Sequence, residues 1–197
     1  KYVTTRNPAL YRDFKVPAKY IINFDFYQKS LAVLCQSEFH SSIVKKNLGL
    51  ENIVSVGGNL WSENTLDNLR LLSDRKKNNR CSIMQSDIPH KGTEHAKSYC
   101  RKNNLEFDLI TPCGYSEFLS RLGSNNVFVF FPKTPETLSR VIVEARMMNM
   151  KVITNSLVGA AREPWFNKKG HQLIDIISQK REEIPEMVLE VLNGHSL

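Results

Sequence analysis

The stretch "NNVFVFFP" at 125–132 is apolar at every position from Val127 to Phe131, and that missing alternation is what most constrains the fold. A strand with one face in water alternates apolar and polar residues, whereas a strand covered on both faces reads as a continuous apolar run. Comparable runs, "RCSIMQS", "LEFDLIT" and "MKVITN", flank it, with helical stretches between them. "HKGTEHAKSYCRKNN" sets Ala96, Tyr99 and Cys100 on one helical face and ends at Asn103-Asn104, while "YSEFLSRLGS" is a short helix with a glycine stop. A third helix starts near Glu136, behind Pro135, and "GHQLIDIISQKREEIPEMVLEVLNG" supplies two closing helices separated near Pro185. Apolar strands alternating with helices specify an α/β fold, a Rossmann-like doubly wound parallel sheet. Ligands of such sheets bind beyond the carboxyl ends of the strands. Loops 85–92, 111–115, 132–138 and 155–163 are therefore expected along one rim.

Residues 1–80 have a different character. "LAVLCQS" reads as a strand followed by a helix capped at Ser37 and finished by Gly49, "NIVSVGG" as another short strand, and Ser62 as the N-cap of a helix over "ENTLDNLRLL". These are pieces of a partial second α/β unit with too few strands to close a core. The expected division is 1–60, the end of that unit with a linker, and 61–197, the Rossmann-like domain.

Composition narrows the function classes. No apolar run approaches the roughly 18 residues that span a bilayer, and "KYVTTRNPALYRDF" lacks the apolar core of a signal peptide. The chain does not begin with methionine and reads as a piece of something longer. Its net charge of +7 favours acidic partners: nucleotides, phosphates, or an anionic membrane surface to which it would associate peripherally. The basic residues are dispersed, and the one cluster, "DRKKNNR", reads as a solvated loop; without aromatic interleaving, nucleic acid is not the expected partner. Four cysteines show no C-x-x-C pair or metal-ligand spacing, which fits buried free thiols in a reducing cytoplasm. Neither G-x-G-x-x-G nor G-x-x-x-x-G-K-[ST] follows any strand, and no D-x-D occurs. No cofactor and no metal are expected.

Two glutamates stand out. Glu136 and Glu144 bracket a helix otherwise built for burial, and Glu144 interrupts the run Val141, Ile142, Val143, Ala145. A buried unpaired carboxylate is costly, so either an arginine (Arg140 or Arg146) or a ligand must satisfy Glu144.

The residues from Asn125 to Glu163 resemble the donor-binding half of a retaining GT-B glycosyltransferase of the "group 1" superfamily. The similarity rests on Pro132, the E-x7-E-A spacing of Glu136 and Glu144-Ala145, Asn149, "KVITN", Gly159 and Glu163, with Lys91-Gly92 in "MQSDIPHKG" upstream. "AVLCQSEFH" and "NIVSVGGNLWS" resemble the stretch that joins the acceptor domain to the donor domain. The resemblance implies transfer of a sugar from a nucleotide-diphosphate sugar to an acceptor hydroxyl, in polysaccharide or glycoconjugate synthesis, with retention and without metal. It implies that Glu144 accepts hydrogen bonds from the ribose hydroxyls, that Glu136 reaches the donor sugar, and that Lys91 with Gly92 faces the diphosphate. A carboxylate accepts two hydroxyl donors, which suits a diol.

The chain also departs from that pattern. Gln85 stands where the family places an arginine for the leaving diphosphate, and a neutral amide does not replace that charge. Thr137 and Ser139 stand where glycines are usual, with Leu138 between them; their hydroxyls can donate to phosphate or sugar, and Arg140 can restore the missing charge. These departures leave a second reading, a non-catalytic nucleotide-binding or protein-interaction module derived from the same fold. His90 borders the phosphate rim, Glu163 is within reach of the sugar, Asp87 reads as a loop cap, His40 and His95 as surface or half-buried imidazoles, and Trp61 and Trp165 as packing at domain edges.

Overall fold

The structure, a computed structural model, describes residues 14–194; the stretch read for a signal peptide falls almost wholly outside them. Two parallel sheets carry the chain. The smaller pairs β1 (Val33–Cys35) with β2 (Ile53–Ser55), joined by α2 (Glu38–Leu48) and preceded by α1 (Phe24–Lys29). Helix α2 begins where the Ser37 side chain accepts the His40 N–H and ends at Gly49, whose φ of 62° suits a residue without Cβ. Its Val44 and Leu48 pack with Cys35 and Leu50 into a small core.

The larger sheet follows α3 (Glu63–Asp74), which is capped by Ser62 as the sequence predicts. Its strands are β3 (Asn78–Met84), β4 (Phe107–Ile110), β5 (Asn125–Phe130) and β6 (Lys151–Thr154), in the order β4-β3-β5-β6, every pair parallel. The connecting helices are α4 (Thr93–Lys102), α5 (Tyr115–Leu122) and α6 (Arg140–Met147), and α7 (Gly170–Leu192) closes the chain. Strand β5 shows why its sequence does not alternate. Phe128 and Phe130 point into the large core with α3, α5, α6 and α7, while Val127 and Val129 face Ala96 and Cys100 of α4. The connection after β3 runs to one side and that after β5 to the other, so the carboxyl ends of β3 and β5 form the switch point of a doubly wound sheet.

Three local expectations are corrected. The helix expected from Glu136 starts only at Arg140. Pro135 biases Thr134 away from helical geometry, and Ser139 sits at φ 70°, so 133–139 runs as a loop zipped to 157–160 by Glu136 N–H to Leu157 O, Gly159 N–H to Glu136 O and Ala160 N–H to Leu138 O. The two closing helices are one, because α7 continues through Pro185. A proline inside a helix costs about 3 kcal/mol; buried Leu173, Ile174, Ile177 and Ile184 anchor the helix up to it, and half-buried Met187, Val188 and Val191 follow on. The basic cluster is not a solvated loop either. Asn78–Arg80 open β3, Arg80 pairs with Asp108 and Glu106, and Lys77 Nζ donates to the carbonyls of Leu72 and Gly123 at 2.9 and 3.0 Å.

Candidate functional site

The loop after β3 and the loop after β5 meet at the switch point. Lys91 Nζ lies 2.8 Å from Glu136 Oε1, with side chains 24% and 15% exposed. Gly92 makes this approach possible. Its φ is 72°, and a Cβ there would sit inside the Phe131 carbonyl. The Lys133 N–H donates to the His90 carbonyl and draws the two loops together. Helices α4 and α6 open on this rim with no side-chain cap, unlike α2 and α3, and α6 has no acidic residue in its first turn. Uncapped N–H groups and helix dipoles attract anions.

Glu144 is 3% exposed, and one oxygen of its carboxylate is engaged by the protein. Its Oε1 accepts the indole N–H of Trp61 at 2.9 Å and the hydroxyl of Tyr115 at 2.7 Å, and Arg140 Nε stands 3.7 Å away. The Arg140 guanidinium lies 4.4 Å over the Trp61 ring and donates to the Leu60 carbonyl. Of the two arginines considered, Arg140 is thus near the carboxylate, while Arg146 turns away to the carbonyls of Asn167 and Lys168. Burial and the Glu144 charge push the Tyr115 hydroxyl up to about 12. Sequence reasoning missed Trp61 and Tyr115 as partners of Glu144. The available signal was chemical: a buried indole N–H and a tyrosine hydroxyl both require acceptors.

The other candidates sort by position. Gln85 ends the β3 ladder, its N–H on the Ile110 carbonyl. The Thr137 hydroxyl donates to Gln36 Oε1 at 2.6 Å and its carbonyl accepts the Ser37 hydroxyl, so 137 ties the two sheets together. Leu138 is fully buried, and Ser139 is the left-handed residue before α6. Glu163 is buried, accepts the Glu38 N–H at the start of α2, and has its carboxyl raised by burial. Ser86, not Asp87, makes the loop cap, taking the Ile88 N–H. Among the described residues, no three His, Cys, Asp or Glu side chains gather to hold a metal ion, and no helix is long and apolar enough to cross a membrane.

The fold and the site define a Rossmann-like α/β protein with an ion pair at its switch point. No protein-family model and no curated protein matches the chain. Among solved structures it is similar to a glycosyltransferase from Rickettsia africae ESF-5, at 12% identity and a TM-score of 0.47, over 88% of this chain and 58% of that one. The chain thus spans less than two thirds of that glycosyltransferase.

Proposed function

We propose that the chain is the donor-binding half of a glycosyltransferase that moves a sugar from a nucleotide-diphosphate donor to an acceptor hydroxyl, with retention and without metal. The observation that carries this reading is the Lys91–Glu136 pair at the switch point, made by residues far apart in sequence. Lys91 and the uncapped start of α6 offer positive potential to a diphosphate, Glu136 offers an acceptor to the sugar hydroxyls, and Glu144 offers one to the ribose. The protein's part is then to position the donor and to stabilise charge on the leaving diphosphate.

Titration of the chain with UDP, GDP and ADP tests the binding half of this reading. One of them is expected to bind with equal affinity in EDTA and in Mg²⁺; a tenfold loss in EDTA would refute the metal-free reading, and no binding at all would refute the donor site. Slow release of nucleoside diphosphate from a nucleotide sugar tests transfer chemistry.

A second reading, a nucleotide-binding module without catalysis, is favoured by Gln85 and by the protein donors that already occupy both carboxylates. Binding without any donor hydrolysis would select it.

A further inference from the structure

We propose that the Tyr115 hydroxyl holds the place of a ligand hydroxyl on Glu144 and leaves it when a ribose binds, which makes Tyr115 a determinant of nucleotide preference. This rests on the assignment of Glu144 to the ribose.

A carboxylate oxygen has two lone pairs, and Oε1 of Glu144 already takes two donors, Trp61 at 2.9 Å and Tyr115 at 2.7 Å. A ribose hydroxyl that bonds this oxygen, and not Oε2, takes the place of one of them. Trp61 cannot yield easily. It is 2% exposed, sits in the main core and lies under the Arg140 guanidinium. Tyr115 can. It is 48% exposed and is the first residue of α5, at the rim where ligands enter. Gly114, just before it, has open space where a Cβ would stand.

The exchange replaces one O–H donor by another at the same carboxylate, and no charge is created. With its pKa pushed up to about 12, Tyr115 stays a donor at every working pH, so the competition is constant across it. A nucleotide without ribose hydroxyls has no reason to displace Tyr115. The exchange therefore offsets part of what a ribose hydroxyl gains on Glu144, and Tyr115 sets how large the ribose preference is.

The test compares the wild-type protein with Tyr115→Phe, which keeps the ring and removes the competing donor. Calorimetry measures affinity for UDP, GDP and ADP and for the 2′,3′-dideoxy counterpart of whichever binds; the indole N–H resonances of ¹⁵N-Trp protein report on Trp61. Tyr115→Phe is expected to bind the ribonucleotide roughly three- to tenfold more tightly, with dideoxynucleotide affinity unchanged. In the wild type, ribonucleotide should move the Trp61 resonance and dideoxynucleotide should leave it. Equal or weaker ribonucleotide binding by Tyr115→Phe overturns the proposal while leaving the donor site standing. Absence of binding to either protein overturns both. Thermal melts of the variant, and Tyr115→Leu as a second substitution lacking the hydroxyl, separate the exchange from a folding defect.

Discussion

Gly92 packs its backbone directly on the Phe131 carbonyl, so closely that a side-chain carbon at 92 would overlap that oxygen. This approach brings the β3 and β5 loops into register and places Lys91 against Glu136.

Gly92→Ala is accordingly expected to cost at least about 2 kcal/mol, combining a left-handed φ with a backbone clash. Urea melts of both proteins measure it, and a variant as stable as the wild type would show that the loops do not depend on this contact.

Lys91 and Glu136 should respond in opposite directions to substitution. Lys91→Met removes the cation that meets the diphosphate, and nucleoside diphosphate affinity should fall about tenfold, together with part of its salt dependence. Glu136→Gln frees Lys91 from its partner and should raise that affinity. Titrations at two salt concentrations decide, and a loss in both variants would contradict the assignment.

Glu144→Gln should touch both stability and binding. Trp61 and Tyr115 keep an acceptor oxygen but lose its charge, so a destabilisation of about 1–3 kcal/mol is expected. A wild-type preference for ribose over deoxyribose nucleotides should weaken in the same variant. A lower Tm with ribose preference intact would make Glu144 purely structural.

His40 predicts a pH dependence of stability. Burial pushes its pKa from 6.5 down to about 4, and its Nδ1 accepts the Gln36 N–H, a role open only to the neutral ring. The folded state thus binds this proton less readily than the unfolded one. The contribution of His40 is complete above the unfolded value and is lost progressively as the pH falls from about 6.5 to about 4, by at most about 3 kcal/mol. Urea melts at pH 7.5, 5.5 and 4.5 measure it. His40→Asn, which retains an acceptor, should flatten this part of the profile, and an unchanged slope would clear His40 of the role.

Much of the fold was legible because its signals are local. Ser37 and Ser62 cap helices by reaching N–H groups within one turn, Gly49 takes a left-handed stop, and the β5 run shows burial on both faces. The candidate site was legible only as residues on rim loops. The start of α6 was misplaced because a proline followed by an apolar period looks helical, whereas buried Leu138 and the pairing of 136–138 with 157–160 hold that segment extended. The division expected near Pro185 failed because α7 stays helical through the proline, with half-buried Met187, Val188 and Val191 continuing the apolar side beyond the buried stripe that ends at Ile184.

The sequence by itself determined the alternation of strand and helix, the parallel sheet that follows from it, and the rim loops on which Lys91 and Glu136 lie. Those outcomes depend on periodicity and on hydrogen bonds between near neighbours. Only the tertiary structure decided that Lys91 meets Glu136 across 45 positions and that Glu144 meets Trp61 across 83. A buried carboxylate announces that it needs donors, but many side chains can supply them, and which ones arrive depends on how the separate elements pack.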